Sequence, residues 1–416
     1  MIVTVSPGTL SGTVPAIASK SYAHRLLICA ALSQKPSFVA CRTVSADILA
    51  TAACLRSLGA KISETGEGFA VTPIAEIPAK AVLDCGESGS TLRFLLPVCC
   101  ALGAECGLLM RGRLPERPLS PLYEELQHHG ARLSKQGVSP LTVGGILADP
   151  HFTLRADVSS QFISGLLLAL PLMGGGTVTL AGTAESSSYI GITADCMRSA
   201  GVTVTQDCNM FIVSGGYDAE NRVDVEGDWS NAAFWLCAGV LGSAPVTVTG
   251  LNPISTQGDQ KVVDIIRNFG GELYIDGGSV TAIPSQLHGS TVDAADVPDL
   301  VPVVSVLAAC AEGETHIYNA ARLRLKESDR LAAVQNIMST MGAHIEETAD
   351  GLILHGGRLA GGRVRSWNDH RIAMSAAIAA LSADGPVTIE GAECVNKSYL
   401  GFFDDLCKLG GTVAKG

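Results

Sequence analysis

A period of about 70 residues runs the length of this 416-residue chain. Six times an amphipathic stretch meets a glycine and then a strand-like alternation: CLRSLGAKI, ELQHHGARL, CMRSAGVTV, IIRNFGGEL, IMSTMGAHI and DLCKLGGTV. The glycines are Gly59, Gly130, Gly201, Gly270, Gly342 and Gly410, spaced by 71, 71, 69, 72 and 68 residues. Glycine there suits a helix C-terminus, where the chain turns left-handed without a Cβ clash. A second landmark keeps the same period. Small polar clusters open six very apolar runs, with Ser19, Ser90, Ser160, Ser230, Asp299 and Asp369 spaced by 71, 70, 70, 69 and 70 residues. Each unit therefore reads as polar turn, buried helix, strand, amphipathic helix, glycine stop and hairpin.

The length exceeds what one hydrophobic core holds, so two domains of three units each are expected. Helices apolar all round belong inside a core. Their N-termini carry free N–H groups and partial positive charge, which favour anions. Ser, Asp and Asn at those ends also serve as plain helix caps, but capping does not account for the Lys, Arg, His and Gln beside them.

Composition excludes other classes. Hydrophobic residues make up 47% and charged residues 17%, which suits a globular protein and not a disordered one. No apolar run reaches the roughly 18 residues of a membrane span, and no basic segment precedes an apolar one at the start, so neither a membrane helix nor a signal peptide is expected. The 13 cysteines form no CxxC or zinc-type spacing and read as reduced core residues of a cytoplasmic protein. A net charge of -11 disfavours nucleic-acid binding.

The polar clusters carry the chemistry. In SKSYAHR, Ser21 and Arg25 share a helix face at i,i+4, with Lys20 at the helix start. In GESGSTLR, Gly86 and Gly89 let backbone amides approach an anion, Ser90 is placed to cap, and Arg93 lies one turn into an apolar helix. RLPERP ends in Arg117, DVSSQF brings Ser159, Ser160 and Gln161, and ESSSY brings Ser186 and Tyr189. In RLKESDR, read as helix, Lys326 and Arg330 fall on one face with Glu327 beside them, a crowding that a bound anion would relieve. NDHR sets His370 and Arg371 at a buried helix start, and Lys397 follows in ECVNKSY. Asp299 is a lone carboxylate opening an apolar helix, either as a cap or as a reactive group.

Together and in this order, these motifs resemble the 5-enolpyruvylshikimate-3-phosphate synthases, members of the enolpyruvyl transferase family, over essentially the whole chain. The resemblance implies two inside-out α/β domains, each of three βαβαββ repeats with buried parallel helices, and an active site in the interdomain cleft. Residues 1–13 with 226–416 would form one domain and residues 14–225 the other. It implies transfer of the enolpyruvyl group from phosphoenolpyruvate to the 5-hydroxyl of shikimate 3-phosphate. Those two small molecules would be the partners of a cytoplasmic monomer that needs no cofactor and no metal and binds neither membrane nor nucleic acid.

By the same resemblance, Lys20, Ser21, Arg25, Ser159, Ser160, Gln161, Ser186, Tyr189, Asp299 and Lys326 would hold shikimate 3-phosphate. Lys20, Gly89, Arg117, Gln161, Arg330, His370, Arg371 and Lys397 would hold phosphoenolpyruvate. Asp299, Glu327 and Lys20 would move protons. The two substrates carry about five to six negative charges between them, given roughly -1.5 to -2 per phosphate. Lys20, Arg25, Arg117, Lys326, Arg330, Arg371 and Lys397 supply cations to match. The chain departs from the family pattern at Arg322, where Asn is common, at Glu87, and at Trp229, which leaves Asp228 and Ser230 only weakly carried over. A UDP-N-acetylglucosamine enolpyruvyl transferase shares fold and donor, but has a Cys in the loop before the RP dipeptide, where this chain reads RGRLPERP.

Overall fold

The computed structural model describes residues 1–155, 159–182 and 187–416. The chain forms two compact units, one of Met1–Ile17 with Glu226–Gly416 and one of Ala18–Val225. The first crossing was expected after residue 13, but that point lies inside strand Gly12–Pro15. This strand pairs in parallel with Val246–Thr249, so it stays with the first unit.

The α-helices alternate between inner and outer. In the Ala18–Val225 unit they are α1 (Lys20–Ala31), α2 (Ala46–Ser57), α3 (Gly89–Ala101), α4 (Leu122–His128), α5 (Ser160–Ala169) and α6 (Ser187–Ser199). In the other unit they are α7 (Trp229–Leu241), α8 (Val262–Asn268), α9 (Val301–Cys310), α10 (Arg330–Thr340), α11 (His370–Leu381) and α12 (Phe402–Lys408). The odd-numbered helices are the apolar runs and are almost wholly buried. In α7 every residue from Trp229 to Val240 is buried, and in α11 every residue from His370 to Ala380. The even-numbered helices are the amphipathic stretches, and each ends two residues before its repeat glycine. All six of those glycines have positive φ, from 79° at Gly201 to 108° at Gly59. A side chain at Gly59 would also meet the Glu76 carbonyl oxygen at 2.3 Å. None of the described helices is long and apolar enough to cross a membrane.

Among the described residues, six four-stranded sheets share one order. In one of them Ala81–Asp84 runs parallel to Cys106–Leu109, which pairs antiparallel with Leu141–Gly145, itself antiparallel to Ala131–Leu133. The parallel pair flanks α3, and α4 leads into the hairpin. Two exceptions show how the chain is threaded. Ile2–Val5 lies between Val387–Glu390 and Val413–Lys415, so the two chain ends form the arms of one hairpin without its turn. The strand opening the first sheet of each unit is the segment that precedes a crossing, Gly12–Pro15 in one and Arg222–Asp224 in the other.

Each unit has its own apolar core. All 13 cysteines are free, and most are buried as expected, but Cys208 and Cys407 are exposed. The caps fall one or two residues from several of the expected positions. Ser88 caps α3, Ser159 caps α5, Asp228 caps α7 and Asp369 caps α11, each side chain accepting from a first-turn amide. Ser90 is thus not a cap but the second residue of its helix.

Candidate active site

Two polar clusters form at the N-terminal ends of the inner helices, one in each unit. In the Ala18–Val225 unit, Lys20 opens α1 and its Nζ donates to Asp47 Oδ2 of α2 at 3.1 Å. Arg25 lies one turn on, 2% exposed. Its Nη1 donates back to the Ser21 carbonyl at 2.7 Å, as the shared face requires. Its other donors reach Thr193 Oγ1 at 2.6 Å, the Tyr189 carbonyl at 3.0 Å and Ser164 Oγ at 3.3 Å. Burial lowers its pKa to about 10, which still leaves it charged. Arg93 donates through Nη1 to Gln161 Oε1 at 2.7 Å, and Gln161 Nε2 donates to Ser90 Oγ at 2.9 Å. The Gln161 carboxamide is thereby held from both ends, and it links α3 to α5.

Arg117 packs on the Gly89 backbone. A Cβ at Gly89 would lie 2.8 Å from Arg117 Nη1. The absent side chain is what lets the guanidinium rest against the start of α3. Glu87, in the loop before α3, sits against Gly112 of the loop that leads to Arg117. Ser159 and Ser160 open α5, and Tyr189 lies in α6. Ser186 lies outside the described residues.

In the other unit the cluster centres on Arg330, which is 1% exposed. Its Nε donates to Asp369 Oδ2 at 2.8 Å, Nη1 to Asp299 Oδ1 at 2.6 Å and Nη2 to Glu327 Oε2 at 2.8 Å. Burial works against this charge, but Asp369, Glu327 and Asp299 more than offset it and hold the pKa well above its usual value. Arg371 donates to Asp299 twice, through Nη2 to Oδ2 at 3.2 Å and through Nη1 to the carbonyl at 3.1 Å. Lys326 Nζ stands 3.5 Å from Asp299 Oδ1. Burial lowers the Lys326 pKa, with Asp299 opposing that effect and Arg330 adding to it. Lys397 Nζ donates to the Asn368 carbonyl at 2.7 Å, and His370 is buried with Nδ1 3.9 Å from Asp369 Oδ1.

One expectation is corrected here, and one open alternative is narrowed. Lys326 and Arg330 do not share a helix face. Lys326 ends a 3-10 turn, Ala321–Leu325, and Arg330 is the first residue of α10, capped by Asp329. They approach through Asp299 instead. Asp299 is not a cap either, because Leu300 holds the N-cap position of α9 while the Asp299 carboxylate takes three cations. At the departures from the family pattern, Arg322 donates to the Ala295 carbonyl at 2.5 Å and Trp229 Nε1 to the Asn252 carbonyl at 2.9 Å.

Three contributors escaped sequence reasoning: Asp47, Asp369 as the buried counter-ion of Arg330, and Asp259. The QGD turn gave no signal for Asp259 beyond an acidic residue near an apolar helix. It is 2% exposed, accepts from Ser230 Oγ, and has no partner for Oδ1 among the described residues. Its pKa is raised to about 7, chiefly by burial and next by Asp299, with Arg371 opposing and Asp228 adding a little. A carboxyl raised in this way binds its proton more tightly folded than unfolded. Rising pH therefore lowers stability from the unfolded value of about 4 up to the folded one, where the loss is complete. Asp259→Asn removes that dependence. Its urea midpoint should vary less with pH in this window, and its advantage over the parent should be greater at pH 8 than at pH 5.

With this geometry in place, comparison with known proteins gives a consistent picture. A model of the family described as EPSP synthase (3-phosphoshikimate 1-carboxyvinyltransferase) matches residues 5–406. The chain is 41% identical to the 3-phosphoshikimate 1-carboxyvinyltransferase of Clostridium kluyveri, over 99% of this chain and 98% of that protein. It is 40% identical to that of Clostridium acetobutylicum over 99% and 98%. Among solved structures it resembles an EPSP synthase from Acinetobacter baumannii, with a TM-score of 0.83 and 27% identity over the full length of both chains. The fold also matches the enolpyruvyl transferase NikO from Streptomyces tendae, with a TM-score of 0.77 and 19% identity over 99% of this chain and 98% of that one.

Proposed function

The chain belongs to the EPSP synthase family, and from this we infer that it transfers the enolpyruvyl group of phosphoenolpyruvate to the 5-hydroxyl of shikimate 3-phosphate, releasing phosphate. That places it on the shikimate route to chorismate and the aromatic amino acids. The reaction adds a hydroxyl to C2 of an enol phosphate while C3 gains a proton and the C2–C3 double bond becomes single. Phosphate then leaves as C3 gives a proton up. Each stage makes or breaks one carbon–oxygen bond, one C3–H bond and the C2–C3 double bond, with no change of redox partner, so side chains that hold anions and move protons are enough.

We propose that Lys20, Ser21, Arg25, Ser159, Ser160, Gln161, Ser186 and Tyr189 hold shikimate 3-phosphate, with Asp299 and Lys326 on its ring hydroxyls. Lys20, Gly89, Arg117, Gln161, Arg330, His370, Arg371 and Lys397 hold phosphoenolpyruvate. The observation that carries the chemical assignment is the shared grip of Arg330 and Arg371 on Asp299. A substrate carboxylate docking on these guanidiniums draws on the same positive charge that now holds Asp299. Sharing those cations with a second carboxylate stabilises the Asp299 anion less and raises its proton affinity. Substrate binding thus readies Asp299 to accept the hydroxyl proton. Glu327, bonded to the same Arg330, and Lys20 serve C3 and the leaving phosphate. We further read the protein as a cytoplasmic monomer without nucleic-acid partners, in keeping with its charge of -11 and its free cysteines.

Gly89→Ala tests the anion loop. The added methyl would push the Arg117 guanidinium off the start of α3. The KM for phosphoenolpyruvate should rise while that for shikimate 3-phosphate stays nearly constant. An equal rise in both would make the loop a folding element and not a phosphate site. The activity itself is tested by phosphate release from phosphoenolpyruvate. Release should need shikimate 3-phosphate and should not occur with UDP-N-acetylglucosamine in its place. Turnover with the nucleotide sugar alone would overturn the assignment.

A further inference from the structure

A buried chain of side chains runs through the Ala18–Val225 unit beneath the anion loop. His24 Nδ1 lies 2.6 Å from Thr51 Oγ1, Thr51 Oγ1 lies 2.7 Å from Thr91 Oγ1, and Thr91 Oγ1 donates to Ser88 Oγ at 2.8 Å. His24, Thr51 and Thr91 are fully buried and Ser88 is 1% exposed. The chain joins α1, α2 and α3 and ends on the cap of α3.

Its direction follows from hydrogen counting. Thr91 spends its one hydroxyl hydrogen on Ser88, so it must accept from Thr51. Thr51 has then spent its own hydrogen and must accept from His24. His24 therefore carries its proton on Nδ1. Its Nε2 has no partner among the described residues, and burial, with Lys20 and Arg25 nearby, holds its pKa well below the usual value. Each O–H dipole points its positive end toward Ser88. Ser88 also accepts from the Thr91 amide at 3.2 Å, which fixes the first turn of α3 and leaves the Gly89 and Ser90 amides facing whatever approaches the helix end.

We propose that His24, Thr51 and Thr91 are positioning residues: a one-way hydrogen-bond chain from the Nδ1 hydrogen of His24 that orients the start of α3 for the phosphate of phosphoenolpyruvate. This rests on the reading of Gly89 and its neighbours as that phosphate site, and the test separates the two claims. Nitrogen-15 NMR of the whole protein, with His24→Asn used to assign the signal, should show the neutral His24 ring protonated at Nδ1, with its titration displaced below the ordinary histidine range. Protonation at Nε2, or titration near the ordinary histidine value, would overturn the chain whatever the enzyme does. In kinetics, Thr51→Val and His24→Leu should raise the KM for phosphoenolpyruvate about 10-fold to 100-fold, as small misplacement of a binding group does. The kcat and the KM for shikimate 3-phosphate should stay within a few-fold. His24→Asn keeps a donor where Nδ1 stood and should recover most of the loss. A merely structural role would instead lower the melting temperature and weaken both substrates alike, with no recovery by Asn, and that result would refute the positioning claim. With the predicted NMR signature intact, absence of turnover in the parent would refute the functional reading alone.

Discussion

Asp299→Asn should lower kcat by about 10²–10⁴-fold, the usual cost of losing a general base. The fold should survive, because Arg330 keeps Asp369 and Glu327 as counter-ions. Binding of shikimate 3-phosphate, followed by calorimetry, should persist. The geometry adds a more specific expectation. The carboxamide still accepts but carries no charge, so Arg330 and Arg371 are held less tightly at this position, and the KM for phosphoenolpyruvate should stay level or fall while kcat collapses. A fall in kcat with a matching rise in that KM would make Asp299 a binding group. Turnover within a few-fold of the parent would send the proton to Glu327 or Lys20.

Arg330→Met should produce the largest loss of stability among single changes at this cluster. It strips one cation from three carboxylates, of which Asp369 is fully buried. Breaking a buried pair from one side typically costs about 3–5 kcal/mol, because the remaining charge loses its counter-ion without regaining water. Urea unfolding should show an earlier transition, and turnover should be lost with it. Arg330→Lys should restore only part of both, since one ammonium cannot reproduce a guanidinium that bridges three acids. An unchanged urea midpoint for the Met variant would mean that Arg330 is not the hub of this cluster.

Much of this architecture was legible because it repeats. The repeat glycines located every outer helix end, and the apolar runs located every inner helix. The strand that opens each sheet was not visible in the residues themselves. Ala81–Asp84 and Arg222–Asp224 are 4 and 3 residues long, too short to show an alternation. The order βαβαββ came only from the resemblance. At the clusters, residue types were readable but partners were not. Arg25 finds Ser164 and Thr193 at separations of 139 and 168 residues, and Arg330 finds Asp369 at 39. No local pattern encodes such pairs. The error at Lys326 and Arg330 was avoidable, since Asp329 before RLAAVQNIM is a helix-start signal that puts Lys326 outside the helix. At Asp299 the residues left two readings open for another reason. Asp at a helix start is an ordinary cap, and only the convergence of two arginines and a lysine on its carboxylate distinguishes it.

Proton NMR of phosphoenolpyruvate in deuterated water, with the parent protein and with or without shikimate 3-phosphate, tests the central claim most directly. Addition makes C3 a methyl group whose protons are equivalent, so elimination returns an enol ether in which solvent deuterium has replaced some of the original hydrogen. With shikimate 3-phosphate present, an enolpyruvyl ether should appear with deuterium at its methylene carbon. Without it, phosphoenolpyruvate should keep its protons. Release of phosphate with no enol ether formed, or an ether whose methylene carries no deuterium, would contradict the transfer by addition and elimination argued here.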